Sequence, residues 1–358
     1  MTDALDFVVN RSDLRQCAIE AGLVSERTAL APGQVLVRID HFAFTANNVT
    51  YGAVGEMIGY WNFFPARDGW GRIPVWGFGE IVASRHDALS VGERIYGYLP
   101  MSTYVVLDAD QVTAGGFVDG APHRAALPPI YNQYTRCGAD PAFERAREPQ
   151  IALFRPLFGT SFLLDDFLAE HDTFGARQIV LSSASSKTAL GLAFLLHERG
   201  ATVIGLTSAP HAGFVRDTGY YDGVLDYDRV GDLLREPTVF VDFAGNGAVL
   251  EGIHRHLADQ LRHSAQVGVT HWERMAAPAN LPGPTPTFFF APTQVSKRQQ
   301  EWGASELWRR LGDAMQRFIA SARWLRIVEH RGPAAVERLY REMVGGHIDP
   351  AEGNIAAL

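Results

Sequence analysis

Apolar positions along this chain change their period twice. Between residues 30 and 110 they come in short runs, at 35–40 after the turn pair Pro32-Gly33, at 80–84, at 93–98 and at 103–107. The first alternates in period two, and turn residues separate the runs. That pattern predicts short strands, and their regular spacing predicts a barrel-like or sandwich subdomain. From 109 to 156 the pattern breaks. Pro128-Pro129, Asp140-Pro141 and the charged run 144–148 predict a long irregular excursion lying on the surface.

Residues 156–290 alternate helical and strand patterns. A helix is expected over 160–171, then, from Arg177 to Leu196, a buried strand, a tight loop of small residues and an amphipathic helix. Gly200 introduces a second apolar strand, 201–206. Further strands are expected at 223–225, 238–242 and 265–269, and between the last two Leu250, Ile253, Leu257 and Leu261 recur at helical spacing. Near-continuous apolar strands separated by helices imply a parallel sheet covered on both faces. The Pro-rich stretch 276–292 reads as an exit connection. A helix over 306–323 follows, with Leu307, Leu311, Met315, Phe318 and Ala322 on one stripe, then an apolar run 325–328 and a helix over 333–344 stopped by Gly345-Gly346. Two domains are expected: a barrel-like one over 1–155 completed by 324–358, and a doubly wound α/β one over 156–323.

Composition narrows the class only a little. At 358 residues, 47% hydrophobic and 20% charged, the chain has the make-up of a globular protein with large cores. A net charge of −8 argues against a nucleic-acid surface. Residues 1–7 lack a basic region followed by an apolar run, and no apolar stretch approaches a membrane span, so a cytoplasmic protein is expected. Its 2 cysteines cannot build a disulfide framework or a four-thiolate zinc lobe.

The chemistry-bearing feature is the loop Ser183 to Ala189, between the strand that opens at Arg177 and its helix. A strand–turn–helix–strand unit aims the helix N-terminus, with its free N–H groups and positive dipole end, at an anion above the strand. Ser185, Ser186, Lys187 and Thr188 stand where a dinucleotide fingerprint shows glycines. Backbone N–H groups bind a pyrophosphate whatever the side chain, provided no large Cβ substituent intrudes. Serine and alanine are the least obstructive substitutes, although serine is strained where φ is positive. The other reading is a degenerate loop that has lost its cofactor. Ser186-Lys187-Thr188 also mimics the end of a triphosphate-binding loop, but both glycines of that motif are missing. The second strand runs into Thr207-Ser208-Ala209-Pro210-His211 with no carboxylate before Asp217. An NAD site usually places an acid there, so Thr207 and Ser208, with Lys187 or Arg216 near, suit the 2′-phosphate of NADP. Thr207 and Ser208 also suit helix capping, and both roles can coexist.

The layout resembles the medium-chain dehydrogenase/reductase superfamily, in its zinc-free, quinone-oxidoreductase-like branch. Residues 35–48 are similar to its first barrel strand and turn, and 74–82 to its glycine-containing strand. Residues 89–97 match its "vGDRV" turn and strand. Phe158-Gly159-Thr160-Ser161 sits where the helix entering the cofactor domain begins, 239–247 resembles the fourth-strand turn around Gly245, and 346–353 the C-terminal end. The resemblance implies a Rossmann-type domain beside a GroES-like barrel, with cofactor and substrate held between them. The family's zinc enzymes place a cysteine after the first barrel strand and a His-Glu pair at the glycine strand. Here Phe44-Thr45-Ala46-Asn47-Asn48 and Gly77-Phe78-Gly79-Glu80 stand instead, so no metal is expected. The 12 histidines show no paired metal spacing, and His254, His256 and His263, off the apolar stripe, are expected in solvent.

Without metal, neutral donors must polarise a carbonyl. Tyr51, as a donor to the substrate oxygen, and Asn48, as an orienting group, follow the first barrel strand where zinc-free relatives place tyrosine and asparagine. Asn47-Asn48 is equally good turn chemistry. Tyr60, Trp61, Phe63, Phe64, Trp70 and Trp76 suit either a flat apolar pocket or ordinary packing, with Tyr131 and Tyr134 as further candidates. The implied activity is NADP(H)-dependent hydride transfer to an enone, quinone or similar activated carbonyl compound, in a small-molecule enzyme with no nucleic-acid or membrane partner. A homodimer paired through 287–290 is also implied. The alternative is a non-catalytic relative that keeps the fold for ligand or partner binding.

Overall fold

The computed structural model describes residues 4–140, 143–267 and 280–358, apart from the side chains of 57 and 58, and they form two units, 1–153 with 326–358, and 154–325. In the first, β1 (Leu5–Asn10) and β2 (Asp13–Ala21) form a hairpin, which β4 (Trp70–Gly71) joins on the β1 side. The main sheet runs through β3 (Gln34–Ala43), β5 (Pro74–Ser84), β6 (Arg94–Pro100), β7 (Tyr104–Asp110), β8 (Gly116–Asp119) and β9 (Gln133–Arg136). β3 pairs with β5 along one edge and with β7 along the other, so the order β3-β5-β6-β9-β8-β7 closes on itself as a barrel. Its core holds Val35, Val37, Ile81, Ile95, Leu99, Val105 and Leu107. The helices α1 (Ala46–Ala53) and α2 (Gly55–Ile58) follow β3 directly.

Trp61, 1% exposed, is packed between Gly55 and Gly71. A Cβ built on Gly71 would stand 2.3 Å from its ring. Gly71→Ala is therefore expected to cost about 1–3 kcal/mol through overpacking, read as a lower urea midpoint. An unchanged midpoint would mean that the indole is free to shift.

The 109–156 excursion is not a surface loop. It contributes β8 and β9, and it buries Arg124 (2% exposed), Tyr134 (1%) and Cys137 (3%). Its last residues start α3 (Glu148–Glu170), well before the expected helix. Pairing of β9 with β6 and with β8 is non-local, which is why local turn signals read as an irregular excursion.

The second unit is a six-stranded parallel sheet made of β10 (Gln178–Leu181), β11 (Thr202–Thr207), β12 (Gly223–Asp226), β13 (Thr238–Asp242), β14 (Leu261–Gln266) and β15 (Thr287–Phe288), ordered β12-β11-β10-β13-β14-β15. All four residues of β10 are buried, as a central parallel strand requires. Its helices are α4 (Lys187–Glu198), α5 (Ala212–Asp217), α6 (Gly247–Leu257), α7 (Ala291–Trp302) and α8 (Ala304–Ser321). The α8 stripe Leu307, Leu311, Met315, Phe318 and Ala322 is buried throughout.

Several expectations shift here. Leu261 opens β14 rather than continuing α6, and the strand expected at 265–269 lies earlier, its last two positions falling outside the described residues. The exit connection 276–292 begins outside the described residues and then supplies β15 and the start of α7. His254 is buried, not solvated: Nδ1 meets the Pro282 carbonyl at 2.9 Å and Nε2 the Ser264 hydroxyl at 3.0 Å. The Nε2 of His263 is buried as well, and its ring stacks on Phe174 at 4.2 Å. His256 meets the Leu233 carbonyl at 2.8 Å. Phe174 belongs to a turn in which Asp172, Thr173, Phe174 and Gly175 all have positive φ.

The chain returns to the first unit with β16 (Arg326–Arg331), α9 (Pro333–Val344) and β17 (Glu352–Ala357). β17 lies parallel to β16 and antiparallel to the end of β3. Among the described residues no helix is long and apolar enough to cross a membrane.

Candidate functional site

In the parallel unit the strand order turns at β10: the chain moves to β11 on one side, while β13 pairs on the other. Loops at such a switch point part beyond the strand C-termini, which is where α/β sheets hold ligands. Ser182 and Asp242 end the two strands there. The Ser182 hydroxyl donates to Asp242 Oδ1 at 2.6 Å and accepts from the Phe243 and Ala244 amides at 2.9 and 3.0 Å. Asp242 Oδ1 also accepts from the Ala244 and Gly245 amides, at 3.0 and 3.1 Å. Gly245 has φ +65, a conformation natural only to glycine, and Asn246 caps α6 through the Ala248 amide.

The turn after β10 is drawn tightly inward. Ser183 takes φ +49 and donates its N–H to the Tyr227 hydroxyl at 3.0 Å. The Ala184 amide donates to the Leu206 carbonyl and the Ser186 amide to that of Ser183. The Tyr221 hydroxyl donates to the Ala184 carbonyl at 2.8 Å. Gly205 makes this approach possible, since a Cβ there would meet the Ala184 methyl at 2.9 Å. Ser186 is the N-cap of α4, its hydroxyl accepting from the Ala189 amide. Gly191 lets α4 lie against Ser161, whose hydroxyl donates to the Thr188 carbonyl at 2.7 Å.

Ser185, Ser186, Lys187 and Thr188 thus stand together at the start of α4. Thr207 and Ser208 end β11 beside them: the Ser185 hydroxyl lies 3.2 Å from Nδ1 of His211, which follows Ser208 in a short turn. Gly245 belongs to the turn after β13. His211 is a neighbour the sequence did not single out, although its place just beyond the second strand was the available signal.

Asn48 and Tyr51 lie in the barrel unit, on α1. Asn48 is buried and its amide is engaged at both ends: Oδ1 accepts from the Thr45 amide at 2.8 Å, and Nδ2 donates to the Pro74 carbonyl at 3.1 Å. It holds the start of α1 against β5. Tyr51 is buried in a ring cluster with Tyr60 at 4.7 Å and Tyr98 at 5.9 Å between centroids. Burial raises its hydroxyl pKa well above the ordinary value, opposed in smaller measure by Trp76 and Asn47, so it is a neutral donor across the physiological range. A charged cluster on the same unit went unseen in the sequence. Arg94 joins Asp40 and Glu148, and His41 lies 3.6 Å from Glu148 with its pKa lowered by burial. Among the described residues no group of three or more His, Cys, Asp or Glu side chains is arranged to hold a metal.

The closed barrel and the parallel sheet with its switch point define the fold of the medium-chain dehydrogenases and reductases. Solved structures share it at low identity. The yhdH oxidoreductase from Salmonella enterica, crystallised with NADP, is 13% identical, with 99% of each chain covered and a TM-score of 0.58. CurA from Vibrio vulnificus, crystallised with NADPH, is 13% identical over 98% of each chain, TM-score 0.61. An enoyl thioester reductase from Candida tropicalis, in a mutant form, is 11% identical over 100% of each chain, TM-score 0.60. No curated protein matches the sequence. The family described as "Protein of unknown function (DUF2855)" matches residues 42–349, and the chain belongs to it.

Proposed function

We propose that the protein is a cytoplasmic, NADP(H)-dependent, zinc-independent oxidoreductase acting on an enone, quinone or similar activated carbonyl compound. The observation that carries this reading is the start of α4 at the switch point, set beside a second strand that ends in hydroxyls and a histidine rather than a carboxylate. The NADP bound in two of the solved relatives supports it. The turn fits a pyrophosphate in a restricted way. The amides of Ser183, Ala184, Ser186 and Ala189 are spent internally, so the diphosphate would rest on the hydroxyls of Ser185 and Thr188, the first amides of α4 and Lys187. Thr207, Ser208 and His211 would face the adenosine ribose and its phosphate, and the Gly245 turn would flank the dinucleotide.

The bound dinucleotide supplies hydride to the electron-poor carbon of the conjugated carbonyl. Tyr51 would donate a hydrogen bond to the oxygen that gains charge, while Asn48 acts on it indirectly by fixing α1. The edge strand β15, with Phe288 and Phe290 exposed at 63% and 53%, suits pairing with a second copy. Titration with NADPH should give saturable binding, and Lys187→Ala should weaken NADPH far more than NADH. Equal losses would move Lys187 to the pyrophosphate, and no binding of either cofactor at millimolar concentration would end the reductase reading. The internally spent amides and the strained Ser183 favour the second reading, a relative that keeps the fold for non-catalytic ligand or partner binding.

A further inference from the structure

The turn after β10 holds a conformation that its own residues do not favour. Ser183 has φ +49, and no residue from Ser182 to Ser186 is a glycine. A left-handed serine persists only where the surrounding structure fixes it. Two phenols grip this one segment. The Ser183 N–H donates to the Tyr227 hydroxyl at 3.0 Å, and the Tyr221 hydroxyl donates to the Ala184 carbonyl at 2.8 Å.

The two tyrosines flank β12, the outermost strand, which β11 separates from β10. Each therefore reaches past β11 to the same turn. Gly205 on β11 opens the way: a Cβ there would stand 3.0 Å from the Tyr221 ring and 2.9 Å from the Ala184 methyl. Burial keeps both hydroxyls protonated. It raises the pKa of Tyr221, with Tyr227 adding to the rise, and that of Tyr227, where the Ser183 amide opposes and Asp242 adds. The clamp therefore acts alike across the physiological range. What it holds governs the helix beyond. The Ser186 amide returns to the Ser183 carbonyl at 2.8 Å and the Ser186 hydroxyl caps α4, so the conformation of Ser183 sets where α4 begins and where Ser185 and Thr188 stand.

We propose that Tyr221 and Tyr227 are positioning residues for the diphosphate of the dinucleotide, acting through the backbone of Ser183 and Ala184. The first glycine of a dinucleotide fingerprint makes its tight turn through a backbone freedom that other residues lack. This chain obtains the turn by gripping a serine from outside. The proposal rests on the NADP reading of the site and adds that phenol and glycine are interchangeable there. Ser183→Gly should therefore make the clamp dispensable.

The test is fluorescence titration of the full chain with NADPH, alongside amide hydrogen exchange over 182–188 without cofactor. Tyr227→Phe and Tyr221→Phe should each weaken NADPH about fivefold, the effect of one neutral hydrogen bond. Each should also speed exchange of the Ala184 and Ser186 amides, whose own acceptors are untouched. Ser183→Gly, added to either variant, should recover most of the affinity and the slow exchange. Thermal melts establish which variants are folded, and either phenol decides the outcome if the other is not. Native affinity in both phenol variants overturns the proposal. So does a loss that Ser183→Gly fails to reverse, because a tyrosine with only a packing role would give that result. If the native protein binds no NADPH at millimolar concentration, the dinucleotide reading falls and exchange still decides the clamp: rates unaltered by the phenol variants, or not slowed again by Ser183→Gly, overturn it.

Discussion

Arg124→Ala is expected to destabilise the barrel unit by about 3–5 kcal/mol, because it leaves a carboxylate buried without its charge partner. Arg124 and Asp119 meet at 2.8 Å with side chains only 2% exposed. The same guanidinium donates to the Phe63 carbonyl and the Tyr134 hydroxyl and lies 4.5 Å from the Phe64 ring, so several groups lose a partner together. Burial already raises the Asp119 pKa, with Arg124 and the Ala121 and Asp108 amides opposing the rise. Without Arg124 it must rise further. A folded-state pKa above the unfolded one makes the ionised group a burden at neutral pH, relieved as pH falls through the folded value. The stability gap between Arg124→Ala and the native protein should therefore narrow from pH 7 to pH 5, as measured by urea denaturation. A constant gap would show that stranded charge is not the cause. Removing both charges, as Asp119→Asn with Arg124→Met, should recover much of the loss.

Asp242→Ala should have the next largest effect, and at a different level. One buried carboxylate oxygen ties together the ends of β10 and β13 by accepting from Ser182, Ala244 and Gly245. Alanine takes the acceptor from the Ser182 hydroxyl and the Gly245 amide, while the Ala244 amide keeps Ser182 Oγ, a loss of about 3 kcal/mol read from urea denaturation. Asp242→Asn keeps an acceptor oxygen and should lose less. If the Gly245 turn flanks a dinucleotide, NADPH affinity of folded Asp242→Ala should fall at least tenfold. Native stability with native affinity would show that the backbone alone holds the turn.

The parts of the fold that were legible in the sequence are those whose burial is decided locally. Gln178 to Leu181 reads as a central strand because a parallel strand covered on both faces needs an unbroken apolar run. The stripe on α8 reads because one helix face is buried along its whole length. The hairpin β1–β2 was missed because the second strand, Asp13–Ala21, has Leu14 as its one buried residue and mixes charged with apolar residues. Arg124 was obscured by the turn-rich segment around it, and its burial depends on strands that come together in the closed barrel. The candidate site was legible as a location more than as chemistry. Residues 185–188 stand at the start of the helix expected there, whereas the acceptors that take up the Ser183 and Ala184 amides, Tyr227 and Leu206, come from other elements further along the chain. Asn48 shows the same limit. Its residue type suited either a turn or a substrate contact, and only the bonds to Thr45 and Pro74 reveal how much of its amide is already in use.

The pairing of Ile355 with Ala43 bears on the order in which the protein is synthesised. Every described strand of the parallel sheet has left the ribosome once residue 288 is out, so that sheet can assemble while translation continues. The barrel cannot. The stretch of β3 that receives β17 must wait, with that edge unpaired, until residues 355 and 356 have been made. Closing so long an interval costs little extra at equilibrium but leaves an open edge during the wait. Nascent-chain lengths between β16 and β17 are therefore where this protein should depend most on chaperones.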